Sequence, residues 1–152
     1  MIYIKSVIRY SFFLLFLLSI ISCNKKEVTT DKLIETIVRD SLGYKDNYKS
    51  IIVFQEKGCI NCQYKTLEFI KQNQNNKDYL FIIQSNGELV DLSSIKKENS
   101  NIIFDYKKYL YNYNITNGSA AIIFNGVKVD TILKFDDPYE LNKNIKLVKS
   151  HL

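Results

Sequence analysis

The chain has 152 residues, 46% of them hydrophobic and 24% charged, enough for one folded domain and too apolar for wholesale disorder. Its net charge is +5, but Lys5 and Arg9 supply two of those charges within the first 22 residues. The remaining +3 is spread along the chain, so no basic stripe for nucleic acid is expected.

Lys5 and Arg9 form a positive n-region ahead of an apolar run from Ser11 to Ile21, which ends in Ile20-Ile21-Ser22-Cys23. The run of 11 residues falls well short of the roughly 20 that a spanning helix needs. The layout resembles a bacterial lipoprotein signal, in which a small residue directly precedes the lipidated cysteine. That resemblance implies cleavage after Ser22, leaving residues 1–22 as signal peptide and Cys23 joined to lipid. Two or three acyl chains then give stable anchoring where one gives only marginal binding. Asn24 stands where enteric lipoproteins retained in the inner membrane carry Asp, so an outer-membrane anchor, facing periplasm or cell surface, is expected.

Residues 23–30 read as lipidated cysteine and polar tether, and 31–152 as a folded domain with an N-terminal helical extension. From Asp31, Leu33, Ile34, Ile37, Val38 and Leu42 recur at helical spacing, and Gly43 supplies a stop. Ile51-Ile52-Val53-Phe54 is a short continuous apolar run of the kind buried on both faces of a sheet. Gly58-Cys59-Ile60-Asn61-Cys62 follows at once and opens a helix to about Asn73, broken by the Asn- and Gln-rich loop 72–77.

Tyr79–Ile83 predicts a second buried strand, Asn86-Gly87 a turn, 91–98 a short helix and Asn101–Phe104 a third strand. Tyr106–Tyr113 predicts a short helix whose tyrosines 106, 109, 111 and 113 are about half buried by their i, i+3 spacing. Ala120–Phe124 and Val127–Leu133 flank Asn125-Gly126, a strong hairpin signal. Asp137-Pro138-Tyr139-Glu140 has the form of a capped helix start, with Asp at N-cap and Pro at the first helical position. Strands alternating with helices predict an α/β fold, three layers deep, around a mixed sheet of parallel βαβ units plus a C-terminal antiparallel hairpin.

The sequence holds three cysteines; with Cys23 committed to lipid, Cys59 and Cys62 remain as a pair in a non-reducing compartment. At a strand end and a helix start, the Cys59 sulfur faces the orphan N–H groups of the first turn, which favour the thiolate. Cys62 lies one turn on and can resolve a mixed disulfide formed on Cys59. Glu56 and Lys57 flank the motif with opposing effects that largely cancel. Three other uses of the pair compete: a fixed disulfide, which in so short a loop adds little stability; zinc, which lacks further ligands because the lone His151 is terminal; and Cu(I) delivery.

Ile51–Cys62 resembles the strand and active-site start of thioredoxin-like proteins, and the chain from about Lys49 resembles the membrane-attached TlpA/ResA-type thiol–disulfide oxidoreductases. Ile102-Ile103-Phe104-Asp105, Tyr113-Asn114-Ile115 and Ala120–Gly126 carry the closer likeness. The resemblance implies a thioredoxin-like fold and a lipid-anchored, monomeric enzyme exchanging disulfides with exported cysteine-containing proteins. No cofactor is needed, and a membrane thiol relay serves as electron donor or acceptor. Reduction, oxidation and isomerisation share the same two catalytic residues. Ser119 stands where the family has its cis-proline, Val53 where thioredoxins keep a buried acid, and Gly58 where a tryptophan precedes the first cysteine. A trans bond at Ser119 and a specialised enzyme are expected. The alternative is a non-enzymatic binding lipoprotein that uses the same fold with its disulfide closed.

Overall fold

A computed structural model describes residues 29–85, 87 and 89–151. The signal segment, Cys23 with most of its tether, and Asn86 of the expected turn lie outside the described residues. Thr29 caps helix α1 (Thr30–Thr36), its Oγ1 accepting from the Lys32 N–H at 3.4 Å. The helix continues as a wider π turn over Ile37–Ser41 and stops before Gly43, whose φ is +72°. Ile34, Ile37 and Val38 bury the expected stripe.

Five strands follow: β1 (Ser50–Gln55), β2 (Tyr79–Gln84), β3 (Ile102–Phe104), β4 (Ala120–Asn125) and β5 (Lys128–Lys134). Their order across the sheet is β3-β2-β1-β4-β5. Strand β1 runs parallel to β2, β2 parallel to β3, and β4 runs antiparallel to both β1 and β5. Every residue of β1 and β2 is buried, the burial that the unbroken apolar runs predict for central strands covered on both sides.

The pleat divides β1 between two cores. Ile52 and Phe54 pack with Phe69 and Ile70 of helix α2 (Ile60–Asn73) and with Leu141 and Val148 of helix α4 (Leu141–Ser150). Ile51 and Val53 face the other way, toward Ile34 and Val38 of α1's stripe and Leu110 of the short helix α3 (Tyr109–Asn112). The described residues thus form an α/β arrangement, a five-stranded mixed sheet with four helices divided between its two faces. The hairpin forms where Asn125-Gly126 predicts it, one residue later: Asn125 pairs with Lys128, and Gly126 takes φ +63°.

Four local expectations need correction. Residues 91–98 form turns instead of a helix, because the Asp91 carboxylate accepts from the Ser93 N–H and closes a local turn. Helix α3 begins only at Tyr109, after Lys108 in the left-handed region. Tyr106, Tyr111 and Tyr113 are exposed, and only Tyr109 packs against a core, so the tyrosines are less buried than their spacing predicts. Helix α4 starts at Leu141 with no side-chain cap, since Asp137 Oδ1 spends itself on the Tyr139 N–H at 2.9 Å. A bond to the residue two positions on makes a turn where a bond to N3 would have made a helix.

Candidate functional site: a cysteine pair at a helix start

Strand β1 ends at Gln55, and the chain turns through Lys57, whose N–H donates to the Gln55 carbonyl at 2.9 Å. Gly58 then takes φ +82°, a conformation open to glycine at little expense. That turn delivers Cys59 as the N-cap of α2, extended at φ −65°, ψ 118°. A sulfur here does what an N-cap oxygen usually does: Cys59 Sγ accepts from the Cys62 N–H at 3.3 Å.

The two thiols sit in opposite electrostatic settings. Cys59 is part-exposed, and its pKa lies below the ordinary thiol value, first because the Cys62 thiol donates to it and then because the Cys62 backbone N–H does. Burial opposes these two, and the Asn61 N–H and the Lys65 ammonium add lesser contributions in the lowering direction. Cys62 is 2% exposed, and burial, followed by its bond to Cys59, the charge of Cys59, and Asp136 and Asp137, pushes its pKa up to about 12. The outer sulfur is disposed to ionise and the inner one to keep its proton.

The charges that flank the motif in sequence are engaged with other groups. Glu56 Oε1 accepts from the N–H groups of Leu89 and Val90 at 3.1 and 3.2 Å, and the Lys57 ammonium lies 5.0 Å from the Tyr111 ring centroid. Lys65, on the same helix as the pair, supplies the cation. Its contribution could have been found from helical spacing, since residues three apart from Cys62 share its face.

Ser119 lies at the start of β4 beside the end of β1. Its peptide bond is trans; the hydroxyl accepts from the Gln55 N–H at 2.9 Å and donates to the Gln55 carbonyl at 3.2 Å. It thereby clamps the strand end from which the cysteine loop departs. A buried polar row continues from it: Gln55 Nε2 donates to Gln84 Oε1 at 2.7 Å and to Thr116 Oγ1 at 3.3 Å, and Gln84 Nε2 to Asp105 Oδ2 at 2.7 Å. The other Asp105 oxygen is buried without a partner among the described residues. Val53, by contrast, is fully buried among apolar neighbours on the opposite core and brings no polar group to the pair.

One residue of the site goes unannounced in the sequence. Asp136, in the bend after β5, comes against Gly58, which precedes Cys59, and Gly118, which precedes Ser119: its Cβ is 3.5 Å from the place a Cβ on Gly58 would occupy, and its Oδ2 is 2.5 Å from that of Gly118. The Phe135 N–H, bonded to the Ser119 carbonyl at 2.8 Å, holds the bend in place. Among the described residues no group of three or more His, Cys, Asp or Glu side chains is placed to hold a metal. Cys23 lies outside the described residues. Compared with known proteins, the chain matches no family model, no curated protein and no solved structure.

Proposed function

We propose that the chain is a thioredoxin-like thiol–disulfide oxidoreductase, anchored to the bacterial envelope through lipid on Cys23 and acting on exported proteins. The observation that carries this reading is the asymmetry of the pair: an accessible sulfur at a helix N-cap, held toward thiolate, beside a buried thiol held toward its protonated form. The strand order, with the cysteine loop leaving a central parallel strand and an antiparallel hairpin on its other side, supports a thioredoxin-like fold.

In the reductive direction Cys59 thiolate attacks a substrate disulfide, forming a mixed disulfide and expelling one substrate thiolate. Cys62 then loses its proton and attacks Cys59; the Cys59–Cys62 disulfide forms, and the second substrate thiolate leaves. Two electrons pass from the dithiol to the substrate. The oxidative direction reverses the same bonds.

Cys62→Ser removes the resolving thiol, so the full chain carrying it is expected to accumulate mixed disulfides through Cys59 in the native envelope. An absence of such adducts, with the protein folded, overturns the reading. A redox titration supplies the second arm: exchange requires a couple well above about −300 mV, and a value far below it indicates a structural staple.

A further inference from the structure

We propose that the end of the sheet opposite the cysteine pair is a docking surface for an anionic lipid bilayer, an inference that rests on the lipid anchor at Cys23. Strands β1, β2 and β3 start at this end, β4 runs into it, and the hairpin turns back there. Hydrogen bonds tie its loops into one surface. The Phe124 N–H donates to the Lys49 carbonyl at 3.0 Å, the Lys49 N–H to the Asp78 carbonyl at 2.8 Å, and the Asn99 side chain to the Gln74 carbonyl at 2.9 Å. The chain enters at the same place: Asp31, just after Thr29, accepts from the Val129 N–H beside the hairpin turn at 2.9 Å.

The tether sets the distance to the bilayer. From Cys23 to Thr29 the chain takes six steps, and at ~3.3–3.6 Å each it keeps Thr29 within roughly 20 Å of the anchor. Cys59 lies beyond Gln55, across the full length of β1, about 20 Å away at the rise of an extended strand.

Charge sets the orientation. In the loops at the anchored end Lys45, Lys77, Lys96, Lys97 and Lys128, all exposed, outnumber Asp46 and Glu98, while Lys49 is matched by Asp78 at 3.4 Å. Glu35 is paired with Arg39, and Asp31 is engaged with Val129. The loops at the cysteine end reverse the sign: Glu56, Asp105, Asp136, Asp137 and Glu140 outnumber Lys57, Lys107 and Lys108. A dipole so directed turns its basic end toward anionic headgroups and its acidic end, with the cysteines, toward water. Val127, 87% exposed at the hairpin tip beside Lys128, supplies an apolar side chain for the headgroup layer. Each lysine next to an anionic membrane favours contact about fivefold, so a few suffice for a domain already tethered by lipid. Docked in this way, the domain holds Cys59 clear of the headgroups, open to cysteines of water-borne partners and away from thiols lying at the bilayer surface.

The test is lysine footprinting of the mature lipidated protein, taken from its native membrane and added to two kinds of vesicle. One is pure phosphatidylcholine and the other contains about one quarter phosphatidylglycerol. The acylating reagent is uncharged, and each lysine is read by peptide mass. On the anionic vesicles Lys45, Lys77, Lys96 and Lys128 are expected to react about threefold or more slowly than on phosphatidylcholine. Lys57, Lys107 and Lys108 are expected to keep their rates, and about 0.5 M salt to remove the difference. Lys45→Glu combined with Lys128→Glu is expected to abolish the protection of Lys77 and Lys96 while the lipid keeps the protein on the vesicles. Equal rates on the two vesicles, or slowing at Lys57, Lys107 and Lys108 instead, overturns the proposal. Protection on phosphatidylcholine that grows with protein density places a second copy on this end and overturns it too. The mass of the N-terminal peptide reads the anchor separately. A Cys23 without lipid defeats the anchor reading and this proposal with it, whereas a lipidated Cys23 with equal rates defeats this proposal alone.

Discussion

Replacing Ser119 by alanine tests whether the hydroxyl is the clamp on the strand that carries the cysteine loop. Ser119 is 3% exposed, and its Oγ is the partner of the Gln55 N–H. The Gln55 carbonyl would keep its bond from the Lys57 N–H, so Ser119→Ala orphans one buried donor and not two groups. A net hydrogen bond is worth about 1 kcal/mol, and leaving a buried donor unpaired adds to that, so a loss of about 2–3 kcal/mol is expected. With an m value of about 1–3 kcal/mol/M, the urea midpoint should fall by about 0.7–3 M at unchanged m. Amide exchange locates the effect: the Gln55 N–H should lose protection out of proportion to the rest of β1. A stability loss below about 0.5 kcal/mol, or unaltered exchange at Gln55, would refute the reasoning. Ser119→Pro should lose the same bonds, whatever proline contributes in other proteins.

Two further substitutions follow from the geometry. The Tyr79 hydroxyl is buried without a partner among the described residues, and burial with the charge of Asp78 pushes its pKa up to about 12. The raised pKa means that the fold disfavours the phenolate: stability is intact with respect to this group below its unfolded value of 10.0 and is lost as pH rises from there through about 12. Tyr79→Phe should therefore leave stability at neutral pH unchanged or raise it by about 1 kcal/mol, and shrink the alkaline loss, measured by denaturant unfolding across pH. A loss above about 1 kcal/mol would show that the hydroxyl has a partner. Gly58→Ala should cost about 1–2 kcal/mol through its positive φ alone, because the new Cβ meets only an ordinary contact with Asp136. A neutral result in the same unfolding assay would show that the loop relaxes.

What could be read in advance divides along a physical line. The apolar runs of β1 and β2, the helical stripe of α1 and the Asn125-Gly126 turn are dictated by local periodicity and turn chemistry, and each forms. The N-cap position of Cys59 was legible for the same reason, since a strand, a glycine and a helix succeed one another within a few residues. Asp137-Pro138 misleads because a helix cap and a local turn compete for the same carboxylate, and the turn wins. The tyrosines of 106–113 mislead because the helix there is a single short turn, and a 3.6-residue period has no length over which to express a face. Asp136 and the Ser119–Gln55 clamp join elements distant in sequence, and no spacing rule reports a contact that only the sheet order creates.

The most direct test of the account is the rate of iodoacetamide alkylation at each cysteine of the reduced protein as a function of pH, resolved by peptide mass. Cys59 should be modified first, with a midpoint below the ordinary thiol value of 9.0, while Cys62 stays unmodified through that range. Equal rates at the two sulfurs, or a Cys59 midpoint at or above 9.0, would contradict it.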